Sequence, residues 1–430
     1  MTPSPPEPTS PVGDGTAMAV ASGGSALIGM LSWIAVARLL PPEGIGRAAA
    51  FITAFLLIAG LTELNLGIGL LRWLPRAGRD RPKVLVRALG AVTTCAVVGA
   101  VLYLAVPGAT DVLDVLEGPA GLSSGTAAVV LVAAAAGWAM FQVQDFAIVG
   151  LGRAWWAPAR TVLFGFGRAA VLIGAGASLT AAAVVWSWLI PLAACVLLSW
   201  VATVWWARRA VGEPELPRRV EVLAFLGPTY VGQTGMAVLG QLVPLVVTLR
   251  FGPASGAAFF VIWQGITVID VVSQYFVAPM ATAVARDPGR SREHSVAVRR
   301  RLLLVLPALA VGAILAQPLL SLFGPHYASH ALVLQVMLVG SAARLWVVYR
   351  LGEHQAFGRG AAFARLAVLT SATVAGTAAL IPTAPSWTTE PLLGVALAFA
   401  ATQIVCALLT AGGPRTTMPP SASAVRVVTA

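Results

Sequence analysis

Charged and amide side chains are scarce inside the long apolar runs of this sequence, and each one found there could do chemistry. Glu63 and Asn65 lie in Leu61-Thr-Glu-Leu-Asn-Leu-Gly67, two positions apart and so on different faces of a helix. Asp270 stands midway along another run with Gln264 and Gln274 near it, and Gln274, four residues on, shares its face. Such groups could take sugar hydroxyls or a coupling cation, or form an interhelical hydrogen bond that only holds a bundle together. Gln233 and Gln241 bring uncharged amides of the kind carbohydrate recognition uses. Pro228, with Gly227 and Gly232, could break their helix and bare backbone groups toward a cavity, or provide a kink that packing requires.

The arginines divide into three cases. Arg38 and Arg250 occupy matched positions in an internal repeat, where a guanidinium could hold a phosphate in a forked contact or simply cap the last carbonyls of a helix. Asp145 and Arg168 fall at equal depths on sequential runs, which predicts a structural ion pair between them, with Gln142 and Gln144 as local partners or cavity groups. Arg344 and Arg365 have no obvious acidic mate except Glu353 at the edge of the run, so a bound anion is one use for them.

Other motifs point away from enzymes and cofactors. Gly165-Phe-Gly-Arg-Ala-Ala170 has the outline of a dinucleotide loop but no strand before it, so helix packing is its expected use. His326 and His330 are four apart with no third ligand, and Cys95, Cys195 and Cys406 have neither CxxC nor Cys/His spacing, so no metal site or disulfide framework is expected. Asp111, Asp114 and Glu117 read as a solvated loop face. The sole lysine, Lys83, follows Arg-Asp-Arg-Pro and cannot belong to a Gly-rich phosphate loop, so the chain by itself is not an ATP-driven pump and no cofactor is implied.

These groups need hydrocarbon-spanning elements to place them. The chain is 58% apolar and 10% charged, against about 25% charged in soluble domains. About 20 apolar residues cross a bilayer core as helix. Windows of that kind fall at 17–39, 48–71, 86–106, 125–151, 161–178 and 181–207, then at 222–248, 256–280, 302–323, 331–349, 361–381 and 391–411. The expected fold is therefore an all-α integral membrane protein of about twelve transmembrane helices. Residues 1–16 form a Pro- and Ser-rich tail, 17–207 a first six-helix bundle, 208–221 a linker, 222–411 a second bundle and 412–430 a second tail. The first run has no basic segment before it and is expected to stay as a helix.

Basic residues concentrate in alternate loops: Arg72 to Arg87, Arg153 and Arg160, Arg208 to Arg219, Arg286 to Arg301, Arg350 and Arg359, and the final tail. By the retention of basic loops in the cytoplasm, both termini are cytoplasmic in a multi-pass protein of the cytoplasmic membrane. The formal charge of +11 is then topogenic charge beside membrane lipids, with no nucleic-acid partner. Arg38-x-x-Pro41-x-x-Gly44 returns 212 residues later as Arg250-x-x-Pro253-x-x-Gly256. An even number of spans separates the copies, so the two halves run in the same direction, with a substrate site expected between them.

The chain resembles the polysaccharide-exporter branch of the multidrug/oligosaccharidyl-lipid/polysaccharide superfamily. The residues that carry the resemblance are Ala37-Arg-Leu-Leu-Pro-Pro-Glu-Gly44, Leu71-Arg-Trp-Leu-Pro-Arg76, Leu322-Phe-Gly-Pro-His-Tyr-Ala328 and Ala356-Phe-Gly-Arg359. The resemblance implies a MATE-like V of two six-helix bundles around a polar cavity, worked by alternating access. It also implies a flippase for lipid-linked oligosaccharide, a coupling ion and other polysaccharide-assembly proteins as partners. A drug/cation antiporter of the same superfamily is the first alternative. A membrane glycosyltransferase or polymerase is the second; the external loop at 107–124 is short for it, and the duplication has no role in it.

Overall fold

A backbone inside hydrocarbon has no water to bond, so each apolar run must satisfy its own amides, and the helix is the way a single segment does so. The computed structural model describes residues 29–117, 121–277, 280, 284, 287–383, 386 and 388–412. The first expected tail, the second from residue 413 on, and the first half of the first run, residues 17–28, lie outside these. Among the described residues the secondary structure is helical, with ten helices long and apolar enough to cross a membrane.

The first elements are α1 (Gly29–Leu39), α2 (Pro42–Thr62), α3 (Leu66–Trp73) and α4 (Arg81–Leu104). After them come α5 (Ser124–Gly150), α6 (Trp156–Ala175) and α7 (Ala181–Ala207). Then follow α8 (Arg219–Ala237), α9 (Val243–Phe251), α10 (Pro253–Val277), α11 (Ser291–Leu303), α12 (Leu306–Ile314) and α13 (Ala316–Ser321). The last three are α14 (Ala331–Ala356), α15 (Gly360–Leu380) and α16 (Leu393–Ala411).

Local chemistry sets these ends. Pro42 starts α2, where a missing N–H costs nothing. The Ser123 hydroxyl accepts from the Thr126 amide and the Thr180 hydroxyl from the Ala183 amide, capping α5 and α7.

Three runs depart from single uninterrupted helices. The second breaks after Thr62, where Leu64 and Asn65 adopt left-handed φ angles of 54° and 56° before α3 begins. The seventh does not break at Pro228: helical backbone continues to Ala237 and then opens into a π turn over Val238–Leu242. The cause lies four residues after Gly240, at Pro244, which has no N–H for a helical bond. The ninth, which follows the short polar α11, is divided into the brief α12 and α13; Pro307 and Pro318 interrupt what would have been one span.

The chain divides by contact density into two units. Unit 1 holds residues 1–230, 240–261 and 322–324, and unit 2 holds 231–239, 262–321 and 325–430. In unit 1, α5 packs on α2, α3, α4 and α7 through small and branched residues such as Leu85, Leu89, Val92, Ala139 and Val143. In unit 2, α14 is the central helix, covered by α16, α15 and α12. Gly232 and Gly235 serve close packing there, because a Cβ on either would strike Phe363 or the Ala367 backbone.

Within unit 1 the start of α10 lies against α2 so closely that a Cβ on Gly46 would overlap the Pro253 carbonyl. Trp33 on α1 and Phe260 meet edge to face at 4.9 Å in the same unit. Gly46→Leu is accordingly expected to destabilise the protein by about 1–3 kcal/mol or more through overpacking. A lowered melting temperature of the detergent-purified protein checks this; an unchanged one would refute the close approach.

Candidate functional site

Unit 1 contains a cavity of about 340 Å³ between α5, α6 and the end of α1, lined by Gly29, Ser32, Trp138, Phe141, Gln142, Asp145, Thr161, Phe164, Gly165 and Arg168. Gly165 lines the cavity, and Gly167 lets α6 approach Pro191 of α7, a packing role of the kind expected in this segment. Aromatic rings build much of the rest. Trp138 stacks on Phe141 at 5.3 Å and meets Phe164 at 5.7 Å, and Phe164 in turn meets Trp188 at 5.8 Å.

The ion pair at this cavity is not the expected one. Asp145 pairs with Arg160, whose Nη2 lies 2.6 Å from Oδ1, and not with Arg168. Arg160 also donates to Gln144 Oε1 at 2.9 Å and to the Phe141 carbonyl, and its guanidinium lies over the Phe141 ring at 3.9 Å. Gln144, fully buried, completes the network by donating to the Val196 carbonyl. The physical reason is that α6 begins at Trp156, five residues earlier than its apolar window. A shift of about 7.5 Å along the axis brings Arg160 to the level of Asp145.

Arg168 is left with aromatic company only. Its guanidinium lies 4.1 Å over Trp188 and 6.0 Å from the Phe164 ring; among the described residues it has no ion pair, and its Nε has no hydrogen-bond partner. The side chain is 9% exposed, so the charge is held away from water while facing the cavity. Gln142, on the opposite wall, has an unpartnered buried Oε1.

A second feature of unit 1 is the break in the second run. The Leu61 carbonyl, released from its helical amide, accepts from the Tyr230 hydroxyl at 2.7 Å, and the chain resumes where the Leu66 amide donates to the Glu63 carbonyl. The Glu63 side chain is half-buried at this break, and its carboxylate has no hydrogen bond or ion pair among the described residues. Asn65 is buried with an unpartnered Nδ2. A left-handed Leu costs on the order of 1–3 kcal/mol, which only a well-determined local structure retains.

In unit 2, Arg344 has the acidic mate that its sequence context did not reveal. Its Nε lies 2.8 and 2.7 Å from the two Asp270 oxygens, its Nη2 2.7 Å from Oδ2, and its Nη1 3.5 Å from Gln403 Oε1. Glu353 is engaged elsewhere, by Arg350 and the Tyr349 hydroxyl. Arg365 is exposed and donates to its own helix at Ala361. Gln233 and Gln264 are half-buried and Gln274 is exposed in the same unit; among the described residues none of the three forms a hydrogen bond.

The remaining candidates are placed as follows. Arg38 donates to the Leu322 carbonyl at 2.8 Å, a capping use. Arg250 lies 5.9 Å from the Phe251 ring, and Gln241 falls inside the π turn. His330 pairs with Glu390 at 2.8 Å, and no metal-ligating cluster occurs among the described residues. Sequence reasoning missed Arg160 and Gln403 as members of the buried networks. Arg160 had been read as loop charge, and nothing in the sequence tells which helices adjoin Gln403.

Removing one partner of a buried pair strands the other, at about 3–5 kcal/mol, whereas replacing both by apolar residues is close to neutral. Asp145→Leu is therefore expected to lower the melting temperature more than the double replacement of Asp145 by Leu and Arg160 by Met. Equal losses in the two variants would show that the pair is not coupled.

No family profile and no curated protein matches the sequence. Solved structures do match. An inward-facing multidrug resistance MATE family transporter of the MOP superfamily is 19% identical, over 90% of this chain and 92% of that one, with a TM-score of 0.65. A MOP superfamily transporter from Pyrococcus furiosus, described by a binding pocket of reversed polarity that suggests a different function, is 17% identical over 92% of both chains, with a TM-score of 0.60. An outward-facing MATE family transporter of the same superfamily is 18% identical over 92% of this chain and 94% of that one, with a TM-score of 0.57. At these identities the likeness shows a common fold.

Proposed function

We propose that this chain is an alternating-access transporter that moves an anionic lipid-linked oligosaccharide, or a related polysaccharide precursor, across the cytoplasmic membrane with both termini in the cytoplasm. Two solved neighbours of the same fold are described as inward- and outward-facing states, which supports a two-state transport cycle. The observation that carries the choice of cargo is that Asp145 in unit 1 and Asp270 in unit 2, both partly buried carboxylates within apolar runs, are each closed by an arginine. A cationic drug needs an uncompensated carboxylate in a dry site, because a neutralised pair offers it little attraction and a competing positive charge. Arg168, by contrast, is a cation at the cavity of unit 1 with no counter-ion among the described residues. The neighbour described by a pocket of reversed polarity is a precedent for this fold with altered pocket charge.

Drug/cation antiport is the second reading, and one observation favours it: the half-buried carboxylate of Glu63 at the broken second helix has no partner among the described residues. In the leading reading the same carboxylate serves the coupling ion, since interrupted helices offer freed carbonyls to cations.

Proteoliposomes holding labelled lipid-linked oligosaccharide in the inner leaflet, probed from outside by a lectin or glycosidase, separate the two readings. The expected result is acceleration over protein-free liposomes, abolition of the gradient dependence in Glu63→Gln, and no efflux of an organic cation. Cation efflux without any need for lipid-linked substrate would establish the second reading and end the first.

A further inference from the structure

We propose that the cavity of unit 1 is a phosphate-binding subsite, in which Arg168 holds a phosphate or pyrophosphate group while Trp138, Phe141 and Phe164 cover the sugar or prenyl carbon attached to it.

The argument begins with an imbalance. Inside unit 1 the network of Asp145, Arg160 and Gln144 is internally satisfied: the carboxylate has its guanidinium, and that guanidinium also reaches an amide oxygen and a backbone carbonyl. Arg168 stands two turns further along α6 with nine-tenths of its surface buried, stacked on Trp188, its Nε unbonded and no carboxylate in contact among the described residues. A guanidinium keeps its charge in proteins, so it cannot relieve the burial by losing a proton as a lysine would. Stacking on one face leaves the Nε–H without a partner among the described residues, and the in-plane N–H groups of a guanidinium match the oxygens of a phosphate in a forked contact.

The space beside it is suited to a ligand and not only to solvent. At about 340 Å³ it lies within the size range of small-molecule pockets, and its walls combine three aromatic rings with polar groups that could fix a ligand's orientation. Gln142 presents a buried amide with an unpartnered oxygen, able to bond a hydroxyl near the phosphate. Asp145 also borders the cavity, but its ion pair with Arg160 removes the repulsion that a free carboxylate would exert on an anion. A packing role for Arg168 is poorly supported, because a methionine would fill the same place against Trp188 without an unpaired buried charge.

This subsite deepens the anionic-cargo reading and rests on it for the identity of the phosphate's owner, though the binding itself can be measured without transport. The full chain in detergent is titrated by equilibrium dialysis with labelled inorganic pyrophosphate and, in a second arm, with a short-chain prenyl pyrophosphate. The unmodified protein is expected to bind, and saturating probe to raise its melting temperature. Arg168→Met should weaken binding about 10- to 100-fold, the range of a charge-assisted contact, without lowering the melting temperature of the unliganded protein. Arg168→Lys, which keeps the charge but loses the fork, should fall between the two.

Tighter binding of the prenyl form assigns the phosphate to a lipid carrier, and equal binding assigns it to a free phosphoanion; both uphold the subsite. Failure of the unmodified protein to bind or be stabilised by either probe overturns it, as does unchanged binding in Arg168→Met. Probe binding by a protein that does not accelerate lipid translocation would keep the subsite and remove the transport reading.

Discussion

An ion carried into a helical interior without water must find an opposite charge or a set of dipoles, and this requirement organises the polar chemistry of the protein. The cost of an unpaired charge there exceeds that of most packing errors. Asp145 with Arg160 and Asp270 with Arg344 answer it across neighbouring helices, and Arg350 with Glu353 answers it within one helix. Each pair recruits amides, hydroxyls or carbonyls for the remaining donors and acceptors: Gln144 and the Phe141 carbonyl, Gln403, and the Tyr349 hydroxyl. The pairs therefore fix which helix faces meet, since a rotation of α5 or α14 by one residue would separate the partners.

The same scarcity of water governs the irregular backbone. A helix can open inside hydrocarbon only where another group takes up the freed carbonyls and amides or where the opening faces a wet space. At the break after Thr62 the Tyr230 hydroxyl supplies that group for Leu61, and the strained Leu64 is held by the surrounding unit. Nearby, Gly67 lies so close to Phe146 that a Cβ would overlap the ring, which fixes α3 against α5 just beyond the break. The geometry of the break is thus set by tertiary contacts.

Hydropathy made the helices legible because burial in lipid demands long, nearly uniform apolar runs. The run at 181–207 coincides with α7, and those at 125–151 and 361–381 differ from α5 and α15 by one residue at each end. Irregularities were less legible. Pro228 looked like a breaker but lies where helical backbone continues, whereas Pro244 is the residue beside which the π turn forms. The left-handed pair at Leu64 and Asn65 carried little warning, since leucine is among the residues least suited to that conformation. Partner choice was least legible. Depth along an axis can be estimated from sequence only as well as the helix ends are known, and five residues at the start of α6 sufficed to exchange Arg160 for Arg168. For Asp270 and Arg344, 74 residues apart, the missing knowledge was which helices adjoin.

That exchange of partners also changes the sign of the cavity in unit 1. Had Asp145 met Arg168, Arg160 would have remained near the end of its helix, where a guanidinium can reach water, and the cavity would have been neutral. With Arg160 taking Asp145, the charge left without an ionic partner among the described residues is the deeper one, beside Trp188, Phe164 and Trp138. Aromatic faces soften the cost of burying it by about 0.5–2 kcal/mol, less than the several kcal/mol that desolvating a cation requires. The difference has to be met by something that binds the in-plane donors, and water can do so only in part because it brings no charge. Placement of a single helix start thus decides whether unit 1 offers its ligands a neutral pocket or a cationic one.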